Sequence, residues 1–294
     1  LEKENIHMKS EKIENNAYMF AAGVVKGEMQ RDAPLTAQAL EEITASDLII
    51  VGGCYDHVER VLAALEVPFK KVSDQQLSDL NLSSEQLLII NCPGNLPEAS
   101  LRQVAKFVES GGTLFTTDWA LRNVIEPAFP GVIEYNDTPT GDDVVRIQVL
   151  DPKSPYLQGV MDVNDDPQWW LEGSSYPIRI LDEEKVRVLI TSKELGEKYG
   201  EEAVAVVFRH GDGEVFHMIS HYYLQRSDFR SERHEMSAAD YANAKDVPMT
   251  AAMLDDADDL KYGLVEAAGS SARLVANIIG EKKRKEKIAN QTRK

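Results

Sequence analysis

The stretch Gly111-Gly-Thr-Leu-Phe-Thr-Thr-Asp-Trp-Ala-Leu-Arg-Asn123 decides the fold. A glycine pair launches the apolar run of Thr113 to Thr117, Asp118-Trp119 ends it, and a helical pattern follows. Immediately upstream, Leu101, Val104, Ala105 and Val108 stand at helical spacing, and Gly111-Gly112 supplies the left-handed stop that such a helix needs. This is a helix–strand–helix unit, and the same logic repeats on its N-terminal side. Asp47 to Gly53 (DLIIVGG) and Leu87 to Ile90 before Cys92-Pro93-Gly94 are short, continuously apolar runs broken by turn residues, as buried parallel strands are. Between them lie a helix over His57 to Leu65 and a shorter strand in VPFKKV.

Alternating strands and helices predict an α/β fold: a mostly parallel sheet flanked by helices. After Asn123 the pattern becomes strand-rich. Ala203 to Gln225 predicts a late β-hairpin turning at Gly211-Asp212-Gly213. Residues 1–45 read as a helical N-terminal arm, 46–225 as the α/β domain, and 226–294 as an acidic excursion followed by an amphipathic C-terminal helix packing on that domain. Leu260, Leu264, Ala268, Val275 and Ile278-Ile279 form the apolar stripe of this helix.

Composition narrows the function classes. A net charge of −17 disfavours nucleic acid and anionic membranes as partners. No apolar run approaches the roughly 18 residues of a membrane span, and the polar start lacks a secretory core. Two cysteines suit a reducing cytoplasm. The basic run Glu281 to Lys287 reads as a solvated helix end, with a docking tail for an acidic partner as the alternative.

In an open α/β sheet the ligand crevice lies beyond the carboxyl ends of the strands. Those ends carry Cys54, Tyr55, Asp56 and His57; Asn91, Cys92 and Asn95; Thr116, Thr117, Asp118 and Trp119; and Ser220, His221 and Tyr222. The catalytic candidates are Cys54, Cys92, Asp118 and His221; the ligand-binding candidates are Tyr55, Asp56, Asn95, Asp118, Trp119, His221 and Tyr222.

The succession LIINCPG, LRQVAKFVESGGTLFTTD and GDGEVFHMISH resembles the class I glutamine amidotransferase-like superfamily over roughly Ser46 to Gln225. Within it, the resemblance leans towards branches without amidotransferase activity, such as trehalose-utilisation-type proteins. It implies a flavodoxin-like sheet. It also implies a Cys nucleophile at an elbow and a downstream His-x-Glu. The elbow falls on Thr116 to Trp119, none of which is Cys, and neither His217 nor His221 has Glu two residues later. Glutamine hydrolysis by that route is therefore not expected.

Asp118 then reads first as a cap on the following helix, and second as a ligand anchor or acid/base. Both cysteines read first as small buried residues; Cys54 beside the His57–Leu65 helix, with His221 as base, is the nucleophilic alternative. No ligand pair has the short spacing of a zinc site apart from His217 and His221, so neither metal nor cofactor is expected. Trp169-Trp170 reads as a loop pin, or as a sugar-stacking platform. The leading expectation is a non-catalytic binding or assembly module with a protein partner, a second copy of itself, or a small-molecule ligand. A hydrolase with a relocated Cys/His/Asp site is the second, and carbohydrate binding or processing the third.

Overall fold

A computed structural model describes residues 2–162, 166–221, 232–257 and 260–292. Among the described residues twelve strands follow in chain order: β1 Leu48–Val51, β2 Lys70–Val72, β3 Leu87–Ile90, β4 Thr113–Thr117, β5 Ile133–Tyr135, β6 Asp143–Arg146, β7 Gln148–Val149, β8 Gln168–Leu171, β9 Ile178–Ile180, β10 Val186–Thr191, β11 Ala203–His210 and β12 Gly213–Met218. The main sheet runs β2-β1-β3-β4-β12-β11-β10-β7, with β9 joined to β11 and β5 to β9. From β2 to β12 all pairings are parallel; β11, β10 and β7 continue antiparallel. Helices flank the sheet, so the chain is an α/β protein.

The parallel strands are continuous apolar runs because both their faces are covered. Leu48 and Ile50 belong to one core cluster and Ile49 and Val51 to the other, as a period of two requires. The helix Glu98–Glu109 covers the second face through Val104, Phe107 and Val108. Its chain then turns through Gly111 at φ 111° into β4. Gly213, opening β12, sits where a Cβ would lie 2.0 Å from the Val108 carbonyl oxygen and 2.3 Å from that of Gly112. Gly213→Ala should therefore cost about 3 kcal/mol or more, read as a lowered urea midpoint, because the clash is with backbone and not with a side chain that can swing away.

The first face is covered by both ends of the chain. Phe20, Ala21, Val24 and Val25 of the helix Glu2–Asp32 share a cluster with Leu274, Val275, Ile278 and Ile279 of the helix Tyr262–Thr292. The C-terminal helix is buried beyond the one apolar face that its stripe marks. Residues 268–282 are buried all round. The reason is that the N-terminal helices close over its outer side: a Cβ on Gly280 would lie 2.5 Å from Thr36. Its polar residues are satisfied inside. Asn277 Nδ2 donates to the carbonyls of Tyr156 (3.0 Å) and Gln158 (2.8 Å), and Arg273 Nε to that of Gln158 (3.0 Å).

Two expectations are corrected. The basic run is neither a solvated end nor a free tail. Lys282 is buried and donates to the carbonyls of Ser84 and Gly111, Lys285 pairs with Glu214 at 2.8 Å, and Lys283 with Asp47 at 3.4 Å. These cations tie the helix to the amino ends of the strands. Trp169 and Trp170 are not on a loop but on β8, paired antiparallel with β6. Trp169 is fully buried and donates to the Ile219 carbonyl at 3.1 Å, so it offers no stacking face. Within the acidic excursion the described part forms a 3₁₀ turn, Glu232–Glu235, and two short α-helices, Ala238–Ala244 and Ala251–Asp256. None of the helices, among the described residues, is long and apolar enough to cross a membrane.

Candidate functional site

Register delivers the site. Val51, Ile90, Thr116 and His217 stand side by side across β1, β3, β4 and β12, so the residues beyond them open onto one rim. Asp118 lies two residues past Thr116, in the left-handed region at φ 45°, a conformation that Asp tolerates better than most residues. Its N–H donates to the Met218 carbonyl at 3.0 Å, which fixes the turn to β12.

The side chain of Asp118 does not cap the helix that follows. It turns the other way and holds the loop after β8: Tyr176 N–H donates to Oδ1 at 2.8 Å and Ser175 Oγ to Oδ2 at 3.2 Å. Two loop donors already point at this position, and they outcompete the amides of the irregular turn Leu121–Ile125, which has no side-chain cap. Of the two late histidines, His221 is the one at the rim. His217 is fully buried inside β12, its Nδ1 2.8 Å from Thr116 Oγ1.

His221 Nε2 lies 3.5 Å from Asp118 Oδ2, and its Nδ1 donates to Glu172. Cys92 Sγ, an Asp118 oxygen and a His221 ring nitrogen all lie within 4.8 Å of one another. All three residues are at most 4% exposed. Nε2 of His221 makes no hydrogen bond among the described residues. The carboxylate on His221 Nδ1 is Glu172. It comes from the WWLEGSSYP segment instead of from two residues after the histidine. That segment is clamped to the rim on either side: Trp169 donates to Ile219, and the Glu172 N–H to Ser220 Oγ at 3.1 Å.

The electrostatics follow from burial and charge. Burial pushes the Asp118 carboxyl up to about 6, opposed chiefly by the charge of His221. Burial also disfavours charge on His221, but contacts with Cys92 and Glu172 and the charges of Asp56 and Asp118 outweigh it and raise the ring to about 11. Burial pushes the Cys92 thiol up as well. Burial and charge thus favour the protonated form of both the His221 ring and the Cys92 thiol.

The remaining candidates distribute around this centre. Asp56 is buried, accepting from Thr117 Oγ1 at 2.6 Å and from the His57 N–H at 2.9 Å. Trp119 is stacked on Tyr176 with centroids 5.6 Å apart and meets the edge of the exposed Tyr55, forming an aromatic wall. Cys54 is exposed and stands outside the cluster, although its N–H donates to the Cys92 carbonyl at 3.1 Å. Asn95 is exposed on the rim and accepts from Asn123 at 3.0 Å. Tyr222 lies outside the described residues.

No protein-family model and no curated protein matches the chain. Many solved structures follow part of its course. Among them are the cold-adapted β-galactosidase from Rahnella sp. R3 (16% identity, TM-score 0.42), a GMP synthase-type protein from Thermoplasma acidophilum (17%, 0.42) and a ThuA-like protein from Bacteroides uniformis (13%, 0.42). These three matches cover 58%, 60% and 60% of this chain, and 28%, 82% and 82% of those chains respectively.

Proposed function

We propose that the chain is a hydrolase of amidotransferase-like architecture with a relocated site, in which Asp118 and His221 move protons and Glu172 orients the His221 ring. The observation that carries this reading is the convergence of Cys92, Asp118 and His221, from three separate strand ends, into one buried cluster. Gathering buried ionisable groups costs folding free energy unless every member is paired. Such clusters are found above all where chemistry is done. Here Glu172 holds one nitrogen of His221 and the other faces Asp118 at 3.5 Å, the arrangement of a pair that passes a proton to or from a substrate or water. Asp118 occupies the elbow, so the family's Cys attack is replaced by acid–base chemistry on a small molecule held along the Tyr55–Trp119–Tyr176 wall. Cys92, buried and with its thiol pushed up, is not the nucleophile in this reading.

A panel of chromogenic esters, amides, phosphoesters and glycosides tests it. Turnover of one class should fall at least about 100-fold in His221→Asn and in Asp118→Asn, the usual worth of a positioned acid or base. Cys54→Ser should leave it unchanged. Turnover that survives both site variants overturns the proposal.

A second reading rests on a different observation. Both Asp118 oxygens are occupied by Ser175 and Tyr176, as a structural strut would be. On that reading the crevice binds without reacting. Compounds from a thermal-shift screen would then stabilise the protein, lose that effect in His221→Asn, and emerge chemically unchanged.

A further inference from the structure

We propose that Cys92 Sγ, Asp118 Oδ2 and His221 Nε2 form a binding site for one divalent transition-metal ion, with zinc the best match. The inference rests on the hydrolytic reading, deepens it, and takes the same residues as its centre. Three observations support it. One donor atom from each residue lies within 4.8 Å of the other two, and the 3.5 Å between Nε2 and Oδ2 suits two ligands on a shared tetrahedral ion with bonds of about 2.0–2.3 Å. His221 Nε2 is buried and lacks a hydrogen-bond partner among the described residues, although it is surrounded by polar groups. Nδ1 of the same ring is held by Glu172, which reproduces the carboxylate–histidine–metal relay that fixes a ligating imidazole in orientation and tautomer.

The donor set selects the ion. A thiolate with an imidazole and a carboxylate is a mixed soft and borderline set, unsuited to magnesium or calcium and well suited to zinc. Three protein ligands leave the fourth tetrahedral position for water, the pattern of a catalytic site. Binding requires Cys92 as thiolate and Nε2 without a proton, so it releases protons, while Nδ1 keeps its own for Glu172. The ion would also neutralise the charge of Asp118 and of the Cys92 thiolate that forms on binding. Sequence spacing could not signal this site. Its ligands stand at positions 92, 118 and 221 and meet only because β3, β4 and β12 are neighbours.

The test uses the metal-free 294-residue chain carrying Cys54→Ser, so that Cys92 is its sole thiol. Adding one equivalent of Co²⁺ should produce a thiolate-to-cobalt charge-transfer band in the near ultraviolet and strong tetrahedral visible bands. Zinc should abolish both by displacement. Competition against a chromogenic chelator should then show zinc affinity lower by at least about 100-fold in Cys92→Ser and His221→Gln, and by roughly 10–100-fold in Glu172→Gln. Absence of the charge-transfer band in the folded Cys54→Ser protein overturns the proposal, and so does zinc affinity that is unchanged in Cys92→Ser. The two readings fail separately. Hydrolysis that needs His221 but persists without any metal removes the metal site alone. Stoichiometric metal binding without turnover of any substrate class removes the hydrolase alone.

Discussion

Asp118→Ala is expected to destabilise the protein by about 3–5 kcal/mol, the usual consequence of removing one member of a buried, hydrogen-bonded charge pair. The substitution orphans the Tyr176 amide and the Ser175 hydroxyl, which both donate to Asp118, and leaves His221 facing an empty space. It also places alanine at φ 45°, where its Cβ costs about 1–2 kcal/mol that Asp and Asn largely avoid. Asp118→Asn should be milder, because asparagine accepts the left-handed turn and can still take the Tyr176 hydrogen bond. Urea denaturation measures both. An alanine variant within about 1 kcal/mol of wild type would mean that the elbow side chain is not the strut described here.

The second large effect is acid lability through His217. Burial pushes this ring down to about 3, against an ordinary value of 6.5, so it stays neutral in the folded protein. The unfolded chain takes up a proton below about pH 6.5 that the native state refuses. Stability should therefore be flat with respect to this group above about pH 7 and fall as the pH drops from about 6.5 towards 3. At about 1.4 kcal/mol per unit, the full contribution is on the order of 5 kcal/mol. Other groups also weaken the fold in acid, so the informative quantity is a difference. Stability curves of wild type and His217→Gln should converge as the pH falls, the variant losing about one proton's worth of slope. Parallel curves would show that His217 titrates normally.

How far the sequence carries the fold can be argued residue by residue. The runs LIIV and LLII are legible as parallel strands because burial on both faces leaves no polar residue to interrupt them. The elbow at Asp118 and the hairpin ending near His221 are legible from glycine punctuation alone. The burial of the C-terminal helix on its other sides is not legible because its stripe describes one face only, and nothing local says that Phe20 and Val24 will close over another. The basic run is misread for the same reason: its partners, Ser84, Gly111, Glu214 and Asp47, come from four distant segments.

The site is legible in its parts and not in its assembly. Cys92, Asp118 and His221 are each predicted from strand ends, whereas Glu172 is missed. An orienting carboxylate next to its histidine in sequence leaves a motif; one delivered by a loop after β8 leaves only WWLEGSSYP, in which the tryptophans draw attention. Cys54 looks like the better nucleophile by its place at a helix start, and only the structure shows it exposed and apart.

Both the proposed proton shuttle and the proposed metal site depend on Glu172 holding His221 at Nδ1 beside Asp118 and Cys92. Proton NMR in water tests this most directly, because a buried imidazole N–H held by a carboxylate exchanges slowly and resonates far downfield of the amides. One such resonance should persist in His217→Gln and disappear in both His221→Gln and Glu172→Gln. A downfield signal that survives Glu172→Gln, or no such signal in the folded wild-type protein, would contradict it.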